Sequence, residues 1–360
     1  MTQRERQILQ WIESEPMISQ AELARRLGIT RSSVAVHISN LIKKGHIAGK
    51  GYVLRTGTYA VVVGGVNMDI GGTSYAPLVA EDSNPGAVSM SLGGVGRNIA
   101  HNLCLMGTDV HLLSAIGDDL YGQKIAASCS ELGIDISHAL RLPDFRTSTY
   151  LYINDHKGDM ALAVSDMSIC DQITPAYLAS NLNLLQNAQV VIADTNIPAE
   201  SLQWLAENLT VPLFVDPVST IKAEKIRPIL GKIHTLKPNK LEAELLSGIP
   251  IHSDEDLEKA AQALLDTGLR RVFISLGADG VFAATHAESK RIPNMKVNLV
   301  NTTGCGDAFM AALVWAYLEG TDLEGTMKAG LAASSIAIET TQTINPSMSD
   351  SLLKERIQLC

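Results

Sequence analysis

Asn301-Thr302-Thr303-Gly304-Cys305-Gly306-Asp307, running on into Ala308-Phe309-Met310, decides how this chain is read. It reads as a glycine-containing turn that opens a helix. Before it, Met295 to Val300 alternates as a short strand does; after it, Phe309, Met310, Leu313, Val314 and Tyr317 repeat at helical spacing. The first N–H groups of a helix have no partner inside it, and the helix dipole places positive charge beside them, so such a turn is an anion site. Gly304 and Gly306 let the backbone come close to a ligand. Asp307 is the unusual member. A carboxylate inside an anion cradle is useful if it accepts a proton there, and phosphoryl transfer to a hydroxyl needs that combination. Asp307 as an ordinary first-turn acid is the competing interpretation.

The chain has 360 residues, 46% hydrophobic and 19% charged, enough for a sizeable core and more than one module. The first residues lack an apolar signal segment, and no run of about 18 apolar residues provides a membrane span. Five scattered cysteines, with no CxxC or HExxH pattern, point to a reducing cytoplasm and away from zinc. The net charge of −9 is uneven: residues 1–56 carry nine Lys/Arg against four acids, a head of +5 on a body of −14. Two modules with different partners are expected.

Residues 1–56 read as three helices and a ribbon. Ile8, Leu9 and Ile12 mark the first helix, and Ser19 to Glu22 forms a capping-box pattern for the second. Thr30 caps a third, with Val34, Ile38, Leu41 and Ile42 on its buried face and Arg31, Ser32, Ser33, His37 and Asn40 on the other. Gly45, Gly49 and Gly51 then punctuate a β-ribbon ending at Arg55. The segment resembles the winged helix-turn-helix of bacterial regulators. That resemblance implies a third helix in the major groove, with Arg31, Ser32, Ser33 and His37 facing DNA and Lys50 or Arg55 on phosphates. One copy binds weakly, so a homodimer is expected. A helical appendage for dimer contacts is the alternative.

The body, 59–360, opens with a buried strand at Tyr59 to Val63, followed by Asn67 and Asp69, well placed past the strand end to hold vicinal hydroxyls. Segments near 71–92 and 147–160 lack helical periodicity and read as a small β lid. From residue 188 strands and helices alternate: Val190 to Ala193, Leu213 to Val215, Ile233 to Leu236, Val272 to Ser275. This is the pattern of a doubly wound, mostly parallel α/β sheet. Polar residues gather at the strand ends: Asp194 and Asn196, Asp216, then Lys237 to Glu242. Asn239 and Glu242 suit water-mediated Mg²⁺ or phosphate contacts, with Glu242 as a plain first-turn acid the alternative.

Gly93-Gly94 with Asn98, Thr302 to Asp307, and the ordered set Asn67/Asp69, Asn239/Glu242 and Gly277/Gly280 together resemble the ribokinase (PfkB) family of sugar kinases over about residues 59 to 350. Asp82 to Gly86, Gly93 to Ala100, Val215 to Ser219, His234 to Asn239 and Asn345-Pro346 strengthen the likeness to members that phosphorylate pseudouridine. The resemblance implies a ribokinase-like fold and ATP- and Mg²⁺-dependent phosphorylation of a ribosyl 5′-hydroxyl. It implies Asp307 as base and Gly304, Cys305 and Gly306 as the anion hole. Asn67, Asp69, Gly94, Asn98 and the lid residue Asp166 would bind the acceptor. Asn239, Ser275, Gly277 and Gly280 would line the nucleotide side, and Glu242 would serve the metal.

Three positions depart from the family pattern. Asn301 stands where many members have an Asp linked to a monovalent-cation site. Cys305 replaces the usual Ala, and a thiol at a helix N-terminus is a candidate for a lowered pKa. Leu331 stands where members often carry an Asn near adenine. Another nucleoside, a free sugar, or a nucleoside-sensing transcriptional regulator remain alternatives.

Overall fold

Tyr59–Val63 forms the first strand of the body, and its last four residues are buried, as a strand covered on both faces must be. The computed structural model describes residues 1–15, 18–47 and 58–360. The chain divides into two compact units, Met1–Thr58 and Tyr59–Cys360.

The strands of the second unit are, in chain order, β1 (Tyr59–Val63), β2 (Asn67–Ser74), β3 (Gly86–Gly93), β4 (Asp109–Leu113), β5 (Ala115–Gly117), β6 (Leu140–Leu142), β7 (Thr149–Asn154), β8 (Met160–Asp166), β9 (Val190–Asp194), β10 (Leu213–Asp216), β11 (Thr235–Leu236), β12 (Arg271–Ser275), β13 (Val281–Thr285) and β14 (Ser289–Ile292). Eight of them form one sheet in the order β14-β13-β12-β11-β10-β9-β1-β4. The pairings from β4 through to β12 are parallel, and β13 and β14 extend the sheet antiparallel. Alternate strand residues enter opposite cores. Ala60, Val62, Val190 and Ile192 belong to one, and Val61, Val63, Val191 and Ala193 to the other.

The first core contains the helix Cys305–Glu319, in which Ala308 to Trp315 and Ala316 are all buried. A helix apolar all round belongs inside. It packs against the helix Leu323–Ala337, where the Phe309 ring lies over Gly330 in the space a Cβ would need. This helix anchors the turn 301–304 that starts it.

The lid is a four-stranded sheet in the order β3-β2-β7-β8. Its pleat sorts the side chains. Asp69, Ser89, Ser91, Tyr150, Tyr152 and Ser165 share one face by register; Ile70, Val88, Met90, Leu151, Leu162 and Val164 share the other. Val88 is 75% and Leu162 63% exposed, so the second face is an open apolar surface.

Asn67 and Asp69 lie just past the end of β1, in the lid strand β2. Three expectations are corrected. Met295 to Val300 forms no strand; Val300 and Asn301 instead donate their N–H groups to the Ile338 carbonyl at the end of a helix. Ile233 to Leu236 shortens to Thr235–Leu236, because Ile233 is spent capping the 3-10 turn before it. In the first unit Ile42 is 44% exposed rather than buried.

That first unit holds α1 (Gln3–Ser14), α2 (Gln20–Leu27) and α3 (Arg31–Lys43) around Ile8, Ile12, Leu23, Val34, Ile38 and Leu41. Ser19 caps α2, but Glu22 binds Arg25 and Arg26 instead of closing a capping box. The buried Glu5 holds Lys44 at 2.7 Å, clasping α1 to the end of α3. The ribbon residues Gly49, Lys50, Gly51 and Arg55 lie outside the described residues. Among the described residues no helix is long and apolar enough to cross a membrane.

Candidate active site

Strand ends build the floor, since polar residues past the carboxyl ends of parallel strands face the crevice. Asp194 ends β9 and accepts from the N–H groups of Gly65 and Asn196, both at 2.8 Å. Asp216 ends β10 and pairs with Lys237, after β11, at 3.2 Å. Both are buried. Burial opposes the lysine's charge, yet Asp216, Glu242 and Asp307 together hold its pKa above the ordinary value.

The cradle lies beside that lysine. Gly304 has φ +82°, and a side chain there would run into the Thr343 carbonyl. A Cβ on Gly306 would stand 3.4 Å from Lys237 Nζ, so the ammonium overlooks the bare glycine. Ala308 makes the first helical bond, to Gly304 O at 3.0 Å, leaving the Gly306 and Asp307 amides without backbone partners among the described residues. Burial, and behind it the charge of Asp216, pushes the Asp307 carboxyl up to about 8, against the pull of Asn98 and Lys237. Burial also raises the Cys305 thiol, with Lys237 opposing. The lowered thiol pKa entertained for this helix start is therefore corrected: desolvation outweighs the cation.

In front of the cradle is a cavity of about 1160 Å³ lined by Asn67, Asp69, Gly94, Asn98 and Asp307. Asn67 Nδ2 donates to Asp69 Oδ1 at 2.5 Å, and burial raises the Asp69 pKa. Gly94, with φ +99°, lets α4 (Val95–Leu105) start against the Gly65 carbonyl. Asn98, one turn into α4, donates to Asp307 Oδ2 at 2.8 Å, while its own Oδ1 is buried without a partner. The acceptor-side residues named from the sequence thus meet at one place, except Asp166. Its neighbours Ser165 and Met167 line the cavity; Asp166 is exposed and accepts from Ser168. The strand period turns it to the other face.

Asn239 and Glu242 form a capping box: Asn239 Oδ1 accepts from Glu242 N at 2.9 Å, and Glu242 Oε2 from Asn239 N at 2.8 Å. Glu242 is buried, and burial raises its pKa. Ser275 N binds the Pro238 carbonyl beside this cap, and Gly277 and Gly280 shape the turn between β12 and β13. None of these five residues lines the cavity. Leu331 is buried in the first core and presents no ligand surface.

The set suits Mg²⁺ held jointly with phosphates. Among the described residues no group of three or more His, Cys, Asp or Glu could hold an ion alone. The carboxyl groups of Asp216, Glu242 and Asp307 gather around one lysine, and Mg²⁺ takes one or two carboxylates plus phosphate and water oxygens. A monovalent cation at Asn301 fits poorly. Its Nδ2 donates to the Thr341 carbonyl at 3.2 Å and its Oδ1 accepts from Thr303 N at 3.0 Å, so the side chain ties the loop itself and brings no charge.

On α3, Arg31 and Ser32 are exposed, while Ser33 and His37 are half-buried. The Ser32 and Ser33 hydroxyls both bond Thr30 Oγ1 at 2.9 Å, so they reinforce the cap. Sequence reasoning missed the part of Lys237 in the cradle. Its one signal was a lysine directly after a buried strand amid acidic strand ends.

Two comparisons with family models match: pfkB family carbohydrate kinase over residues 57–350, and winged helix-turn-helix DNA-binding over residues 1–47. The Escherichia coli K12 protein named pseudouridine kinase is 42% identical over 298 residues, covering 82% of this chain and 95% of its own. The Escherichia coli K12 sugar kinase YeiI is 41% identical over 353 residues, 97% of each chain. Among solved structures, Arabidopsis thaliana ribokinase complexed with ribose and ATP shares the fold with TM-score 0.76 at 21% identity, covering 84% of this chain and 99% of that one.

Proposed function

The chain belongs to the pfkB family of carbohydrate kinases, and from that premise we propose that it transfers the γ-phosphoryl group of ATP to the 5′-hydroxyl of a nucleoside, pseudouridine first. The observation that carries the reading is Asn98: its amide holds Asp307, and both residues line the cavity that Asp69 also lines. Asn67, Asp69 and Asn98 bind ribosyl hydroxyls. Asp307 accepts the 5′-hydroxyl proton as that oxygen attacks phosphorus; burial raises the carboxyl to about 8, so the ionised form that acts as base becomes populated as pH approaches that value. The amides of Gly304 and Gly306 and the Lys237 ammonium offset the charge on the transferring group, while the Cys305 amide, expected in the same hole, is turned to the Thr302 carbonyl. Asn239, Ser275, Gly277 and Gly280 flank the nucleotide, and Glu242 presents an oxygen to Mg²⁺. When bound, Mg²⁺ neutralises the β,γ-phosphate charge. No monovalent cation is required in this reading.

A panel of nucleosides and free sugars, scored by ATP consumption and product mass, tests this. Pseudouridine should be turned over with the highest kcat/KM. Preference for a free sugar would overturn the nucleoside assignment.

The first unit supports a second role, DNA binding through Arg31, Ser32, Ser33 and His37, motivated by its family match and its charge of +5. A homodimer serves both units: it doubles the DNA contacts, and a second copy can cover the lid's apolar face. Sedimentation of the full chain as a monomer at micromolar concentration would exclude it.

A further inference from the structure

Two non-glycine residues among those described have positive φ: Glu81 (61°), in an exposed turn, and Val218 (62°). A β-branched residue strongly avoids this region, because its side chain crowds the backbone. Glycine would take it freely. Val218 nevertheless occupies it, half-buried, in the wall of the cavity that holds Asp307.

The surroundings enforce the conformation. Val218 N donates to Asp216 Oδ1 at 2.9 Å. The buried Thr195 hydroxyl donates to the Pro217 carbonyl at 2.5 Å, and Ser219 N donates to the same carbonyl at 2.6 Å. Asp216 spends its other oxygen, Oδ2, on Lys237. One carboxylate therefore fixes both the cavity wall and the cradle lysine. On the same wall Lys222 Nζ donates to Asn196 Oδ1 at 2.5 Å, giving a polar patch beside the valine.

We propose that Val218 is a specificity-determining residue, an apolar wall held in the left-handed conformation so that its side chain stands in the acceptor pocket. Strained backbone persists where neighbours over-determine it, and such positions gather at ligand clamps. A glycine would give the turn without the wall. The inference rests on reading this cavity as the acceptor site, and it assigns the acceptor, not ATP, as what the residue touches. The isopropyl group narrows the pocket next to the Lys222–Asn196 pair, so an acceptor must present an apolar or flat face to the valine and a polar edge to the pair.

Val218→Ala and Val218→Gly in the full chain test this. Loss of a small apolar contact from a pocket weakens acceptor use by roughly tenfold. Both variants should raise the acceptor KM about that much, leave the ATP KM within about twofold, and flatten the ranking across the acceptor panel. Thermal midpoints read the backbone separately. At an ordinary position alanine stabilises over glycine through the unfolded chain; at positive φ the order reverses. The Gly variant should melt above the Ala variant. An acceptor KM within twofold of wild type in both variants overturns the wall, and an Ala variant that melts higher overturns the enforced conformation. If the wild-type panel selects a free sugar, the nucleoside reading fails while the wall is still measured on that sugar.

Discussion

Asn98 and Asp307, 209 residues apart in sequence, meet through a 2.8 Å hydrogen bond from the amide to the carboxylate. The contact joins the first turn of α4 to the first turn of the helix Cys305–Glu319, so two helix starts converge on one carboxyl group.

Replacing Asp307 by Asn keeps the shape and removes the base. We expect kcat to fall by roughly 10²–10⁴-fold with the acceptor KM changed little. Steady-state kinetics with pseudouridine and ATP checks this, and retention of full kcat would remove Asp307 from the mechanism.

The raised carboxyl also sets a pH dependence. Below about 8 the folded protein holds Asp307 protonated, so kcat/KM should climb about tenfold per pH unit toward that value. Because the folded pKa exceeds the ordinary 3.8, folding takes up a proton between the two values. This group's contribution to stability is therefore greatest near pH 4 and declines as pH rises to about 8. The Asn variant should lack both slopes in rate profiles and in denaturant titrations.

Lys237 and Asp216 are 6% and 5% exposed. Removing one partner of a buried pair leaves the other uncompensated, at a cost of about 3–5 kcal/mol. Lys237→Met should lower the urea midpoint of the kinase unit accordingly and also reduce kcat. Unchanged stability would mean that Asp216 takes up a proton or finds another partner.

Asn301 carries no charge and makes two hydrogen bonds inside its own loop. Wild-type rates should be equal in potassium and tetramethylammonium chloride. Asn301→Asp should acquire potassium stimulation and a potassium-dependent rise in melting temperature. A wild-type enzyme stimulated severalfold by potassium would refute the self-tied loop.

In the first unit, Arg31 projects from the start of α3. Titration of duplex DNA at low salt should show binding that weakens linearly in log salt, and Arg31→Ala should flatten that slope by about one. A dimeric sample that binds no duplex at low salt would exclude the DNA role.

Much of this site was legible in the chain because its chemistry sits where backbone patterns change. Asp307 marks itself as a carboxylate in a glycine turn, and Asp194 and Asp216 as acids closing apolar runs. What escaped depends on three dimensions. Asp166 lies in β8, beyond the 147–160 segment read as lid, and which way a strand residue faces depends on register, which comes from pairing with β7. Lys237 becomes part of the cradle only because Gly306 comes within reach from a helix far along the chain. Asn239 and Glu242 matched a helix start, yet sequence did not show that each side chain is already committed to the other's backbone. The strain at Val218 leaves no compositional trace at all.

The lid's two-residue period has one more consequence. Asp69 faces the cavity because it alternates with Met68 and Ile70 along β2, and only Gly64-Gly65-Val66 separates that strand from the fixed end of β1. Loss or gain of a single residue in this connector would turn the strand over, swapping a carboxylate for Ile70 or Met68 at the mouth of the pocket. The connector's length is thus as much a determinant of what this protein holds as any side chain within it. Among insertions and deletions, those in this connector should be the least tolerated relative to how little sequence they change.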